Sequence, residues 1–148
     1  MRACQNRQAF VVSVIKEEKA VHPPKLYDLT TLQREANRLF GFTAQQTLDY
    51  TQALYEKKLV TYPRTDSQFL TEDMEQTARE LSQVVLQKIP CMEEITYEPE
   101  IGRVLNSKKV SDHHAILPTM ELSKAELSKV PGGELQILTM IADRKSVV

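Results

Sequence analysis

Seven consecutive residues, Thr61-Tyr62-Pro63-Arg64-Thr65-Asp66-Ser67, hold the densest set of reactive and anion-binding groups in the chain. Pro63 pushes Tyr62 toward extended backbone. In an extended segment, side chains at i and i+2 share a face, so Tyr62 and Arg64 can meet the same ligand atom. A phenol beside a guanidinium suits phosphate chemistry. The phenolic oxygen can attack phosphorus, while arginine holds the non-bridging oxygens and stabilises the added negative charge. A free phenol ionises only near pH ~10, so attack also needs activation, which a neighbouring cation supplies by favouring the phenolate. The same run also fits an ordinary strand end followed by an Asx or Thr turn.

A second cluster is Ser111-Asp112-His113-His114. Metal ligation by both histidines is disfavoured, because neighbours on a strand point to opposite sides. One imidazole can contact a phosphate, since it can carry a proton near neutral pH. A helix or turn cap, with one histidine exposed and the other partly buried, fits as well. Ala115-Ile116-Leu117-Pro118 predicts a short core-facing strand that fixes the histidines before it. Lys57, Lys58 and Arg64 stand near a helix-to-strand junction, and Arg34 and Arg38 share a helix face. Either set can meet a phosphate backbone or can simply be solvated.

The elements that must position these groups follow from periodicity. Residues 10–15, FVVSVI, are β-branched and aromatic and predict a strand. Pro23-Pro24 forces an extended path and marks a boundary. Leu29, Leu32, Ala36, Leu39 and Phe40 make one helical face, with Thr30 and Gln33 at capping-box spacing and Gly41 as the stop. Thr43 and Gln46 open a second helix by the same pattern, with Ala44, Leu48, Thr51, Leu54 and Tyr55 as its inward stripe. It ends near Glu56 or Lys57. Leu59, Val60 and Tyr62 predict a short strand. Two helices around a tight glycine turn, followed by a strand, suggest a helix-turn-helix with a wing.

A third helix is expected from Thr71, with Asp73 and Glu75 favouring its start. Met74, Ala78, Leu81 and Val85 are its stripe, and Pro90 its stop. Residues 91–110 are expected to be irregular or short-stranded. Leu122, Ser123, Glu126 and Leu127 suggest a stapled capping box for a short helix ending at Pro131-Gly132-Gly133. Residues 135–142 predict a last helix. No internal repeat or low-complexity segment is present.

Composition limits the alternatives. A length of 148 residues suits one domain. Hydrophobic residues at 41% and charged residues at 26% argue against intrinsic disorder. The longest apolar run, residues 9–15, is far short of the ~20 residues that span a bilayer, and the start lacks a signal-peptide pattern. A formal charge of −1 means that any nucleic-acid binding must come from local residues. Cys4 and Cys91 are far apart and unmatched by histidines, which disfavours a disulfide framework or a zinc ribbon. The expected setting is reduced and cytoplasmic.

The segment from Pro23 to Met74, PPKLYDLTTLQREANRLFGFTAQQTLDYTQALYEKKLVTYPRTDSQFLTEDM, resembles the type IA DNA topoisomerases, most of all their topoisomerase III branch. The stretch DHHAILPT, Asp112 to Thr119, is the second point of resemblance. Both strings stand in the order and approximate spacing of that family. The resemblance covers the chain from about Ala9 to Arg144. It implies that Tyr62, the tyrosine of a Y-x-R-T-D-S motif, is the nucleophile. It would form a 5′-phosphotyrosyl link on single-stranded DNA and leave a free 3′-hydroxyl. Arg64 is then expected to position the scissile phosphate. His113, at the first position of an H-x-A-I-x-P pattern, is expected to contact DNA, with Ser67 and Lys58 as further DNA contacts. Thr65, Asp66 and Ser67 are expected to support the site rather than to do chemistry, and His114 falls at a variable position.

The implied fold is mainly α with short β strands (α+β), a winged-helix-like or CAP-like helix-turn-helix. Residues 1–8 are expected to be a disordered or foreign start, 9–26 a strand and linker from an arch domain, 27–144 the tyrosine-bearing domain, and 145–148 a tail outside the family pattern. The family's Toprim domain carries a Glu and Asp-x-Asp cluster for Mg2+ and a lysine near the scissile phosphate. No such cluster is found in these residues, so no metal ligand and no ATP site is expected here. Expected partners are single-stranded DNA and the Toprim and arch domains of a longer enzyme that relaxes or decatenates DNA near the nucleoid. The isolated chain is expected to be a monomer without turnover of its own. Two rival readings are a helix-turn-helix DNA-binding module without chemistry and an inert truncation product. The candidate recognition helix offers Gln45, Gln46 and Gln52 but no arginine.

Overall fold

The computed structural model describes residues 10–18, 23–89 and 100–146. The expectations placed on residues 1–8, His22, Pro90, Cys91 and the last two residues lie outside that set.

Four α-helices carry the described fold: α1 (Leu29–Phe40), α2 (Ala44–Glu56), α3 (Glu75–Lys88) and α4 (Gly132–Ser146). Asp28 caps α1 by accepting from the Thr31 amide at 2.6 Å. The Thr30–Gln33 pattern is therefore not the cap, and Gln33 instead donates to the Ala44 carbonyl at 3.0 Å. Gly41 stops α1 in the left-handed region, at φ 71°, where a side chain would be strained. Thr43 and Gln46 form the reciprocal capping box that opens α2. The buried face of α2 is Thr47, Thr51 and Leu54. Two threonines can be buried there because their hydroxyls donate to the carbonyls of Thr43 and Thr47, at 3.0 and 2.6 Å. Ala44 and Tyr55, placed inward by periodicity, face outward. A 3₁₀ turn, Glu72–Met74, leads into α3, whose expected stripe residues Ala78, Leu81 and Val85 are buried.

Two expected elements differ. Residues 10–18 hold no secondary structure, and Phe10, Val11, Val12, Val14 and Ile15 are exposed. A lone strand has no ladder to satisfy it, so β propensity alone does not make one. The stapled helix near Ser123 is instead a pair of 3₁₀ turns, Met120–Lys124 and Leu127–Lys129, without side-chain caps. Ser123 donates to the Met120 carbonyl, and Glu126 pairs with Lys129. Pro131-Gly132-Gly133 then opens α4, with the Leu135 amide bonding to the Pro131 carbonyl at 2.8 Å.

The β content among the described residues is three isolated bridges: Tyr27 with Ile116 and Val60 with Pro118, both antiparallel, and Leu70 with Leu105, parallel. The expected wing strand is reduced to the bridge at Val60. Pro118 is tolerated because the flanking bonds are made by others: Thr61 N–H to Leu117 C=O at 2.8 Å and Thr119 N–H to Leu59 C=O at 3.0 Å.

Two apolar clusters meet at the Ala115–Leu117 segment. Ile116 belongs to the larger one, with Leu32, Leu54, Val85, Ile137 and Ile141. Ala115 and Leu117 belong to the other, with Leu26, Leu70, Leu81 and Ile101. Alternate side chains of one extended segment thus enter two cores. Each large buried aliphatic side chain is worth about 1.5–3 kcal/mol. This double anchorage holds the residues immediately before it, His113 and His114.

Candidate phosphoryl-transfer site

Tyr62 follows directly on this seam. The Thr61 amide donates to Leu117, and the Thr61 hydroxyl accepts from the Leu117 amide at 3.0 Å. With Pro63 buried on the other side, the backbone of Tyr62 is held from both ends. Its half-buried ring lies between two others. His113 is tilted against it with centroids 4.5 Å apart. Tyr55, from the last turn of α2, meets it edge-on at 5.5 Å and 75°. Sequence reasoning missed this use of Tyr55. The only signal was a third aromatic seven residues before Tyr62.

Arg64 and His113 line one cleft of about 250 Å³ together with Thr65, Asp66, Ser111 and Asp112. Two motifs separated by almost fifty residues are thereby brought together. His113, rather than Arg64, is the group in ring contact with Tyr62. Among the described residues the Tyr62 hydroxyl and the Arg64 guanidinium have no hydrogen-bond or ion-pair partner. Arg64 is exposed and lines the cleft. His114 turns away, with Nδ1 2.7 Å from the Ala115 carbonyl oxygen. The adjacent histidines therefore divide as alternation requires.

The wall between the motifs is built from buried hydroxyls. Thr65 donates to the His113 carbonyl at 2.9 Å and accepts from the Ser67 amide at 3.1 Å. Ser67, only 4% exposed, donates to the Lys109 carbonyl at 2.9 Å. Its hydroxyl is turned to the interior, where it holds the Lys109 segment. Ser111 bonds to the Asp66 carboxylate at 3.2 Å across the cleft.

Lys58 is exposed and stands just beyond α2 in the left-handed region, at φ 59°. Its carbonyl accepts from the Thr119 hydroxyl. Lys57 is ion-paired with Glu134. Of the two adjacent lysines, Lys58 is the one without an ion pair among the described residues. Among the described residues no three His, Cys, Asp or Glu side chains gather to hold a metal ion.

Residues 1–146 match the family model described as DNA topoisomerase. The chain is 39% identical to DNA topoisomerase 3 of Bacillus subtilis (strain 168), covering 97% of this chain and 20% of that protein. It is 41% identical to DNA topoisomerase 3 of Bacillus licheniformis, with 96% and 20% covered. The chain thus spans about a fifth of the length of these relatives. In structure it resembles full-length topoisomerase I from Thermotoga maritima, with a TM-score of 0.55 and 24% identity over 85% of this chain and 20% of that one. That likeness concerns the fold.

Proposed function

Because the chain belongs to the type IA DNA topoisomerases, in their topoisomerase III branch, we propose that Tyr62 is the nucleophile of a single-strand DNA transesterification. The observation that carries this reading is the Tyr62 ring held against His113, which shares its cleft with Arg64.

In the proposed step the Tyr62 oxygen forms a bond to phosphorus and the P–O3′ bond breaks. The phenol loses its proton, and the departing 3′ oxygen gains one. Arg64 holds the non-bridging oxygens as negative charge builds on them. His113 contacts the same phosphate, while Tyr55 and His113 fix the nucleophile's ring, which lowers the orientational cost of attack. One phosphodiester replaces another, so resealing by the 3′-hydroxyl needs no ATP. In the whole enzyme this opening and closing of one strand would relax or decatenate DNA.

Mg2+ is expected in that enzyme, yet the donor set here does not fit it. Asp66 and Asp112 line the cleft beside a guanidinium, and no third ligand joins them among the described residues. The metal would be held by a Toprim domain elsewhere in the longer protein. With an arch domain, that domain would be this chain's structural partner in the bacterial cytoplasm.

A base-reading helix-turn-helix is less well supported. The three glutamines of α2 are engaged locally: Gln45 with Asp49 at 2.7 Å, Gln52 with Glu56 at 3.3 Å, and Gln46 in the capping box.

The test uses single-stranded DNA labelled at its 3′ end, Mg2+ and a separately expressed Toprim fragment, with products resolved on a denaturing gel. A protein-linked 3′ label that disappears in Tyr62→Phe is expected. An adduct that persists in Tyr62→Phe, or that carries a 5′ label instead, would overturn the assignment.

A further inference from the structure

The proposed cleft is poor in positive charge. Arg64 shares it with Asp66 and Asp112, so the formal charge of its lining is not positive. Cations without carboxylate partners are needed nearby. Two of them are gathered on one side chain: the Lys25 ammonium lies 4.7 Å from the Phe69 ring centroid and the Lys109 ammonium 4.8 Å from it. Among the described residues neither lysine has a salt-bridge partner.

Exposed lysines ordinarily sweep a wide volume. These two are held at both ends. The Lys25 carbonyl accepts from the Arg144 guanidinium at 2.7 Å, and Arg144 is itself paired with Glu35. The Lys109 carbonyl accepts from the buried Ser67 hydroxyl at 2.9 Å. Phe69 is fixed by its carbonyl, which accepts from the Ala115 amide at 3.0 Å, and by its amide, which donates to Ser67 at 3.1 Å. The ring face then attracts both ammonium heads. Two like charges on one ring repel, and among the described residues no carboxylate pairs with either. An anion would do so.

We propose that Lys25, Phe69 and Lys109 form a preorganised clamp for backbone phosphates of single-stranded DNA, beside the Arg64–His113 cleft and distinct from it. The proposal rests on the DNA-cleaving reading of that cleft. Ser67 couples the two, because the Thr65–Ser67 segment that closes the cleft also fixes Phe69 and Lys109. The clamp holds the strand that flanks the scissile phosphate and supplies the electrostatic affinity that the cleft lacks. It reads no sequence, since it meets phosphate and not base edges.

The experiment is the salt dependence of binding of a fluorescent oligo-dT by the full chain and its variants. Lys25→Gln/Lys109→Gln is expected to bind roughly tenfold more weakly. The slope of log affinity against log salt should become shallower by about 1.4, near 0.7 for each phosphate of a single strand that is no longer neutralised. The melting temperature should not move. Lys25→Arg/Lys109→Arg should restore binding, because it keeps both charges and their seat on the ring. An unchanged slope in the glutamine variant overturns the clamp and leaves the Tyr62 assignment intact. An adduct that persists in Tyr62→Phe, with a slope that still falls in the glutamine variant, overturns the nucleophile and leaves the clamp standing.

Discussion

Thr65 decides more of the site than its single hydroxyl suggests. It is 8% exposed and joins the tyrosine segment to the histidine segment through the His113 carbonyl, while its own carbonyl accepts from the Leu29 amide at 3.1 Å. Thr65→Val keeps the volume but strands the His113 carbonyl and the Ser67 amide, at a cost of about 1–3 kcal/mol. At about 2–4 °C per kcal/mol for a domain of this size, calorimetry should show a clear drop in melting temperature. Adduct yield per folded molecule should fall as well, because His113 loses its register against Tyr62. Thr65→Ser should retain both. A valine variant that melts and reacts like the parent would remove Thr65 from the site. The run around Tyr62 and the one around His113 were each legible as strings, whereas the side chain set against the Tyr62 ring is His113 and not the Arg64 that spacing alone put beside it. The partners of Thr65, Ser67 and Tyr55 were not legible, because their contacts are set by tertiary packing. Thr65 and His113 stand 48 positions apart, and no local period reports that.

At the scale of elements, α4 crosses α2 at a point where there is no room for a side chain. A Cβ on Gly133 would lie 2.6 Å from Cζ of Tyr50 and 2.8 Å from its Cε2. Tyr50 cannot simply swing aside, because its ring meets Phe42 edge-on at 5.2 Å. Gly133→Ala should therefore cost about 1–3 kcal/mol through overpacking. The loss should appear as a lower denaturation midpoint with an unchanged slope; a midpoint that stays put or rises would show that α2 and α4 separate freely. Helix starts were the most legible elements where the cap was the nearest competent side chain, as at Thr43. At α1 two candidates competed, and Asp28 won because its carboxylate accepts from the Thr31 amide, a charge-assisted bond at the positive end of the helix. At Ser123 the capping pattern was present but its side chains were spent on other bonds. The residue 10–15 strand failed for a different reason: β propensity needs a neighbouring strand to act on.

For the molecule as a whole, the ends of the described helical unit are fastened by one partly buried network. The Glu35 carboxylate accepts from the Tyr27 hydroxyl and pairs with Arg144, whose guanidinium also lies 4.3 Å above the Tyr27 ring. Burial pushes the Glu35 carboxyl up, but hydrogen bonds from Arg144 and then Tyr27 outweigh it and hold the group below its ordinary value. Burial, helped by the bond to Glu35, pushes the Tyr27 phenol up. The signs differ. The Glu35 contribution is complete above the unfolded carboxyl value of ~4.3 and is lost as pH falls through the lower folded value. The Tyr27 contribution is complete below ~10 and is lost as pH rises beyond it. Glu35→Gln should cost about 1–3 kcal/mol at neutral pH, since it removes the carboxylate hydrogen-bonded to Arg144 and leaves only the electrostatic influence of Asp143. Melting curves across pH should show that difference steady from about pH 5 to 9 and shrinking in acid; a gap of constant size down to pH 3 would mean that the carboxylate charge is not what matters. The aromatic stack at the cleft has a consequence of another kind. The chain has no tryptophan, so its near-ultraviolet signal comes from five tyrosines and four phenylalanines. Tyr62 is packed in an asymmetric frame between an edge-on phenol and a tilted imidazole. The proposed nucleophile is thus a chromophore in its own right. Tyrosine circular dichroism of the free protein would report the packing of that frame without any attached dye.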